Sequence, residues 1–448
     1  MTAMDKTPDA KSAVPDSLQN FVVKESYYDP AFVQREYARL WPRTWQMACR
    51  EEELARVGDY VTYDIGAESV IVVRSDAETI NAFHNVCLHR GRRLVEGSGN
   101  MANFPCRFHG WRWSIGGKIE NVTQKEDWCG TLDHDDLSLP AIQVDTWGGF
   151  VFVNFDPQAQ PLREYLGGAA DALDPFRIDT MRYRWRKWLK MPCNWKVALE
   201  AFNEGYHVAI THYPLNRFGQ SQFASRAEGI HGTFYADTSN MLAASNGRAK
   251  ARKMPPGADI AATMAGFHAY LKKAIDSNSS DSIRYAAQVL PTMVTPEMEP
   301  GDIITKLMET AAAIDAKRGV PWPPITAEQY QAGGIDWHIF PNMVLLPMAT
   351  NCLGYRARPW ENDPDWCIFE VYQLERMPEH EIPRTENLRN DDIYDYDFWG
   401  EILLQDFQQM EATHKGLKSS GFPGSRLNPK QETTLNNFHR VYNEYLGT

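Results

Sequence analysis

The spacing Cys87-x-His89-x16-Cys106-x2-His109 constrains this chain more tightly than any other feature of its sequence. Each of two loops, Cys87-Leu88-His89-Arg90-Gly91 and Cys106-Arg107-Phe108-His109-Gly110, supplies one thiol and one imidazole. That layout suits two irons sharing two sulfides, with both cysteines on one iron and both histidines on the other. A single zinc ion accepts the same residue types. Zinc modules usually pair cysteine with cysteine and histidine with histidine, so the mixed pairing disfavours zinc without removing it. Buried thiols and hydrogen-bonded core histidines would have to produce two matched loops within one short segment, which is rare without a metal. His84 fits neither loop and reads as a strand residue.

The surrounding sequence supplies a scaffold of short strands. From residue 40 to about 160, runs such as Val70-Ile71-Val72-Val73 and Phe150-Val151-Phe152-Val153 alternate with Gly, Asp and Asn turns, which predicts a small all-β unit. Asp156-Pro157 marks its expected boundary. The 448 residues exceed one hydrophobic core, so a second domain over 158–448 is expected, with residues 1–39 as an N-terminal arm and helix packing on it. Residues 1–20 read as a loose polar arm. In the second domain, Met181 to Met191 alternates as a half-buried strand with Arg182, Arg184 and Arg186 on its outer face. Helices are expected over Asn194–His212, Ala261–Asp276, Ile303–Lys317, Phe398–Leu417 and Leu435–Tyr445, and strands over Met343–Leu346 and Trp366–Leu374. The expected class is α+β, with helices packed on an antiparallel sheet.

A second histidine pair, His207-x4-His212, lies about a hundred residues beyond the loops. Five residues along a regular helix turn a side chain by about 140°, so the two could share a metal only if the helix bulged or ended between them. Pro214 makes an end near His212 reasonable. Glu204, three residues before His207, is expected on the same helix face.

Cys-x-His-Arg-Gly, Cys-x-x-His-Gly-Trp and then Gly116-Gly117-Lys118 resemble the Rieske domain of the Rieske non-heme iron oxygenases. Asn194-Trp195-Lys196, Glu200, Phe202, Glu204, Tyr206-His207 and His212 are similar to the segment that supplies two histidines to that family's catalytic iron. The resemblance implies a Rieske [2Fe-2S] cluster on Cys87, His89, Cys106 and His109, and a mononuclear Fe(2+) on His207, His212 and one carboxylate. Acids crowd the C-terminal region, and composition does not choose among them. Similarity of Leu403–Glu411 to the family's carboxylate-bearing helix points to Asp406, ahead of Glu411 or Asp392. The family also implies that Glu204 links a Rieske histidine of one subunit to an iron-ligating histidine of the next. Two residues depart from the common pattern: Glu204 stands where many members carry Asp, and Ala201 where an Asn is usual.

The fold implied by the resemblance is a small all-β Rieske domain joined to a helix-grip (START-like) catalytic domain with a curved antiparallel sheet. The implied function is the terminal oxygenase of a multicomponent system, hydroxylating an aromatic or hydrophobic ring compound with O2. Electrons would come from NADH through a separate reductase or ferredoxin, because no G-x-G-x-x-G follows a strand here. The implied assembly is a homotrimer, alone or with a small beta subunit. Two alternatives accompany this reading: monooxygenation or C–N cleavage of a small quaternary amine, and a Rieske electron carrier whose second domain holds no iron. Trp337, Phe340, Met343, Leu345, Leu346, Met348, Phe202, Val208 and Ile210 are candidates for an apolar pocket, and no cationic cluster there announces a carboxylate substrate.

Composition closes other classes. The net charge of −12 disfavours nucleic acid as a partner. Arg90, Arg92, Arg93, Arg107 and Arg112 form a local basic rim near the loops, suited to steering an acidic electron donor. Seven cysteines are no disulfide scaffold and suit a reducing cytoplasm, with Cys49, Cys129, Cys193, Cys352 and Cys367 as structural thiols. The polar N-terminus lacks the apolar core of a signal peptide, and no run is long enough to span a membrane.

Overall fold

The computed structural model describes residues 20–133, 136–219, 222–236, 241–243, 245, 250–254, 257–383 and 385–447. The polar arm expected over residues 1–20 lies almost wholly outside them. Two antiparallel sheets organise the chain, and the change from one to the other follows the alternation of its sequence.

In the first sheet, seven strands run in the spatial order Gln46–Arg50, Phe150–Asn154, Ala141–Trp147, Ile80–His84, Glu68–Arg74, Asp59–Ile65 and Ser98–Asn100. Val70 to Val73 are fully buried because the strand Glu68–Arg74 is central and packs on both faces. A separate three-stranded sheet, Asn103–Pro105, Arg112–Ser114 and Ile119–Asn121, carries the second Cys/His loop at its first turn. Phe104, Trp111 and Trp113 fill the core between these sheets. His84 lies on a strand, as expected, with Nδ1 3.1 Å from Glu68 Oε2. The boundary expected at Asp156-Pro157 falls in the irregular segment between Phe150–Asn154 and the helix Leu162–Leu173.

Eight strands make the second sheet, in the order Phe223–Glu228, His231–Ala236, Asp336–Ile339, Met343–Pro347, Asn351–Trp360, Asp363–Glu375, Arg182–Met191 and Asn387–Arg389. All pairings are antiparallel except the last edge strand, which runs parallel to Arg182–Met191. Helices pack on this sheet, among them Trp195–Glu200 against Asn351–Trp360 and Asp363–Glu375, and Thr433–Leu446 against the hairpin 223–236. This is the curved sheet with gripping helices that the motifs implied.

The outer face of Arg182–Met191 differs from expectation. A register shift between Tyr183 and Trp185 interrupts the alternation. Arg184 pairs with Glu375 at 2.7 Å, and Arg186 pairs with Glu53 of the first domain's side, so these cations join elements instead of facing solvent. A second clamp between the sheets is buried: Arg356 holds Glu370 and donates through Nη1 to the carbonyl of Ala48 at 3.1 Å.

Glu36, fully buried in a π-helical turn over Glu36–Leu40, receives Lys196 Nζ, Trp195 Nε1 at 2.9 Å and Tyr442 Oη at 2.7 Å. One carboxylate thereby fixes the helix Trp195–Glu200, the C-terminal helix and the N-terminal segment together. No helix among the described residues is long and apolar enough to cross a membrane. Four of the five cysteines outside the loops are buried, whereas Cys129 is exposed on a loop.

Candidate metal centres

The two Cys/His loops are built alike. In each, the cysteine N–H donates to the carbonyl five residues on: Cys87 to Arg92 at 2.8 Å and Cys106 to Trp111 at 2.7 Å. In each, the glycine four residues on donates back to the cysteine carbonyl, Gly91 at 2.8 Å and Gly110 at 3.0 Å. Both glycines have φ of +76°, the left-handed region where a side chain is strained, which explains a glycine at that step of both motifs. The backbone N–H groups two and three residues beyond each cysteine then point at its sulfur: His89 and Arg90 at Cys87, Phe108 and His109 at Cys106. The first loop is pinned by Asn85, whose Oδ1 accepts from Leu94 and Val95 while Nδ2 donates to Ser69 and the Val95 carbonyl.

His89 and His109 lie with ring centroids 4.6 Å apart, and His89 stacks on Trp111 at 5.2 Å. Their Nδ1 atoms are buried and without hydrogen-bond partners. Two orphaned imidazole nitrogens beside a pair of neighbouring thiols form a donor set that fits the [2Fe-2S] group. Zinc fits poorly. One tetrahedral zinc draws its donors to within about 4 Å of each other, yet among the described residues only one set of three or more metal-binding groups gathers within 4.8 Å, and it lies elsewhere.

That compact set is His207, His212 and Asp406. The helix expected over Asn194–His212 is in fact two pieces, Trp195–Glu200 and the single turn Val208–Thr211. Asn194 caps the first, its side chain accepting from Lys196 N at 3.1 Å. The break has a local cause: the Glu204 carboxylate accepts the N–H groups of Tyr206 and His207, diverting them from helical bonding. His207 and His212 consequently flank one turn, at its start and its end. His212 leaves helical geometry at φ −101°, ψ 42°, and this brings the two rings to 5.2 Å.

Asp406 comes from the helix Glu401–Leu417, packed against Trp195–Glu200. Its Oδ1 lies 3.1 Å from His212 Nε2 and 3.8 Å from His207 Nε2. The second nitrogen of each imidazole is already held: His207 Nδ1 by Glu204 Oε1 at 2.7 Å, and His212 Nδ1 by Gln405 Oε1 at 2.8 Å. An amide oxygen only accepts, so His212 carries a proton on Nδ1, and Nε2 is the nitrogen that faces Asp406. Burial pulls the His212 pKa down, but the Asp406 carboxylate and its hydrogen bond outweigh that, and the net direction is up. Two histidines and a carboxylate with converging donors fit a ferrous ion with open positions.

The fallback acids go elsewhere. Glu411 accepts from Tyr394 Oη at 2.8 Å and Lys415 Nζ at 2.7 Å, while Asp392 accepts from Tyr394 N at 2.9 Å. Glu204 meets His207 through a turn and not along a shared helix face, since residues 201–207 are not helical.

The triad opens on a cavity of about 460 Å3. Of the apolar candidates, Phe202, Val208, Leu346 and Met348 line it. Trp337, Phe340, Met343 and Leu345 are core residues, because strand alternation turns Trp337, Met343 and Leu345 away from the neighbours that face the cavity. Ile210 is 82 % exposed on the outside of its short turn. Sequence reasoning missed Gln405 behind His212 and, on the cavity wall, polar residues that include Asp336 and Arg252. Gln405 was readable as the neighbour of Asp406, whereas Asp336 and Arg252 carry no local motif.

Near the cluster, Arg93 pairs with Asp64 at 3.4 Å and Arg112 with Glu120 at 3.1 Å, so the rim holds more acid than its own segment displays. Arg90, Arg92 and Arg107 are exposed and have no ion pair among the described residues.

A family model for the "Ring hydroxylating alpha subunit (catalytic domain)" matches residues 178–448, and one for the "Rieske [2Fe-2S] domain" matches 44–141. The carnitine monooxygenase oxygenase subunit of Acinetobacter baumannii is 29% identical over 215 residues, 47% of this chain and 57% of that protein. The large oxygenase component of the naphthalene 1,2-dioxygenase system of Pseudomonas aeruginosa is 34% identical over 208 residues, 44% of this chain and 46% of its own length. The chain thus spans about half the length of the relatives it matches. Among solved structures, a quaternary ammonium Rieske monooxygenase in complex with L-carnitine superposes with TM-score 0.62 at 16% identity, covering 95% of each chain. Naphthalene 1,2-dioxygenase with indole bound superposes with TM-score 0.63 at 20% identity, covering 96% of this chain and 92% of the other. At these identities the superpositions establish the fold.

Proposed function

The chain belongs to the family of ring-hydroxylating alpha subunits and carries that family's Rieske [2Fe-2S] domain; from this premise we propose that it is the terminal oxygenase of a multicomponent system, inserting oxygen into a hydrophobic ring substrate. The observation that carries the reading is the convergence of His207, His212 and Asp406 on the wall of a largely apolar cavity, in a chain that also holds a complete Cys2His2 donor set.

In this reading Cys87, His89, Cys106 and His109 hold the cluster, and His207, His212 and Asp406 hold the iron. When bound, the cluster supplies stored single electrons and the ferrous ion supplies open positions for dioxygen. The protein's own residues do the rest. Glu204 and Gln405 keep the two imidazoles oriented, and Glu204 holds the proton on His207 Nδ1. Phe202 and Leu346 exclude water and seat the ring, so position decides which carbon reacts.

Assembly and donor belong to the same proposal. Phe108 beside His109 is 57 % exposed, and Tyr206, Ile210 and Tyr213 around the iron segment are exposed as well. Apolar side chains at both metal-bearing surfaces support a ring of subunits, most simply a homotrimer, in which one subunit's cluster faces the next subunit's Glu204 and iron. A reductase or ferredoxin would then dock on the rim cations Arg90, Arg92 and Arg107 and deliver electrons from NADH.

Two measurements test this. Iron analysis is expected to give about three irons per chain, as cluster and mononuclear site together require; two would indicate an electron carrier. His207→Ala is expected to reduce the count to about two while the cluster's visible spectrum persists. Oxygen uptake with NADH and a surrogate reductase, run over ring compounds and quaternary amines, should be matched by hydroxylated ring product. Product from the amines alone would replace the ring-hydroxylating reading.

A further inference from the structure

Arg252 lines the same cavity as the iron triad, yet its guanidinium has no carboxylate partner among the described residues. It sits at the end of the strand Lys250–Arg252, where the chain crosses Gly219 closely. A Cβ on Gly219, at φ +105°, would lie 2.7 Å from the Lys253 carbonyl oxygen and 2.8 Å from Arg252 Cβ. That crossing sets the position of Arg252. Its Nη1 donates to the carbonyls of Leu215 at 3.0 Å and Gly219 at 3.3 Å, at the end of the turn that follows His212. One edge of the guanidinium is thereby held by backbone, and Nε and Nη2 have no acceptor among the described residues.

The remaining ionisable groups on the cavity wall do not offset this charge. Glu204 and Asp406 are engaged by the two histidines. Burial pushes the Asp336 carboxyl well above the usual carboxylate range, with only the Trp337 backbone N–H opposing, and it makes no ion pair with Arg252; its Oδ1 has no hydrogen-bond partner. Burial and then Arg284 pull His268 down to about 4, and its Nδ1 is shared with Ser279 at 2.9 Å. Burial lowers the Arg252 pKa to about 10, which still leaves it charged at neutral pH. A cation in an apolar wall without a counter-ion is costly unless a ligand supplies one. Leu215, whose carbonyl Arg252 holds, donates its own N–H to the His212 carbonyl at 2.9 Å, which ties the arginine to the iron segment.

We propose that Arg252 is a substrate-binding residue, and that the cavity takes a hydrophobic ring acid whose carboxylate pairs with the free edge of its guanidinium while the ring lies against Phe202, Leu215 and Leu346. This rests on the oxygenase reading above and specifies its substrate class. Guanidinium–carboxylate pairing is directional and two-pronged, so it would fix which ring edge faces the iron. A cavity of this volume admits a bicyclic acid.

The test is binding of 2-naphthoate, 2-naphthamide and naphthalene to the iron-replete protein by equilibrium dialysis. The carboxylate is expected to bind at least about tenfold tighter than the isosteric amide. Arg252→Gln should bring the two within about twofold, and Arg252→Lys should retain part of the preference. Equal binding of acid and amide by the wild-type protein overturns the proposal, as does a preference that survives in Arg252→Gln or a failure of 2-naphthoate to bind. Oxygen uptake separates the two readings. Acid-selective binding with no product from any acid would remove the oxygenase and leave Arg252 as an anion site. Product from naphthalene with 2-naphthoate unbound would do the reverse.

Discussion

Each imidazole of the iron triad is held from behind by a different neighbour, and the two neighbours differ in charge. Glu204 places a carboxylate on His207 Nδ1, whereas Gln405 places a neutral amide on His212 Nδ1. A carboxylate raises the basicity of the imidazole it holds more than an amide does. Glu204→Gln keeps an acceptor on His207 but removes the charge. It is expected to retain most of the iron while reducing product-coupled turnover about tenfold or more, checked by iron analysis alongside product per oxygen consumed. Gln405→Leu removes the acceptor from a buried imidazole. Metal affinity there is expected to fall about 10–100-fold, measured by competition with a ferrous chelator, with the cluster spectrum unchanged. Equal effects of the two substitutions on iron affinity would contradict this division.

Among the secondary-structure elements, the broken helix decides whether the proposed iron triad can form. A continuous helix over 194–212 would hold His207 and His212 far apart around its circumference. The helix end at His212 prevents that, and the turn at 201–207 that leads into His207 packs closely at Gly205: a Cβ there would lie 2.4 Å from Phe223 Cγ on the neighbouring strand. The ring's base cannot swing aside as a flexible chain end would. Gly205→Ala is expected to cost about 1–3 kcal/mol of stability and to lower mononuclear iron occupancy, read from denaturation midpoints and iron analysis. Normal iron with full stability would show the turn to be more compliant than its packing indicates. H-x4-H announced a helix bulge or end between the histidines, with an end near His212; the turn Val208–Thr211 does end there, and a further break falls before His207, because a side chain captured the backbone.

For the molecule as a whole, the two sheets are joined by buried charge. Burial raises the Glu370 carboxyl, but Arg356, Arg358 and Arg186 outweigh it and hold the pKa below the usual glutamate value. Stability from this group is present above the unfolded value of about 4.3 and is lost as pH falls through the lower folded value. Buried His231 and His268, pulled down to about 4, and His338, to about 3, act earlier. Their unfolded forms take up protons below about 6.5 that the folded forms refuse, so stability declines from there toward those lower values. Denaturant titrations between pH 8 and 4 should show the loss beginning near 6.5, and a flat profile down to 5 would contradict it. Glu370→Gln leaves Arg356 buried with a neutral partner and is expected to cost about 3–5 kcal/mol, flattening the acid limb below pH 4.

The sequence by itself determined the two Cys/His loops proposed to hold the cluster, the spacing of the two histidines proposed for the iron, and the α+β arrangement, since tight loops and strand alternation act over a few neighbouring residues. It located Asp406 only through resemblance, because many acids crowd that region and any of them satisfies the composition. The tertiary structure decided what depends on distant segments meeting. Gln405 reaches His212 across 193 positions, Arg186 finds Glu53 across the two sheets, and Arg252 enters the cavity through its crossing with Gly219. Spacing along a chain carries no information about such encounters; they are set by how the sheets and helices pack.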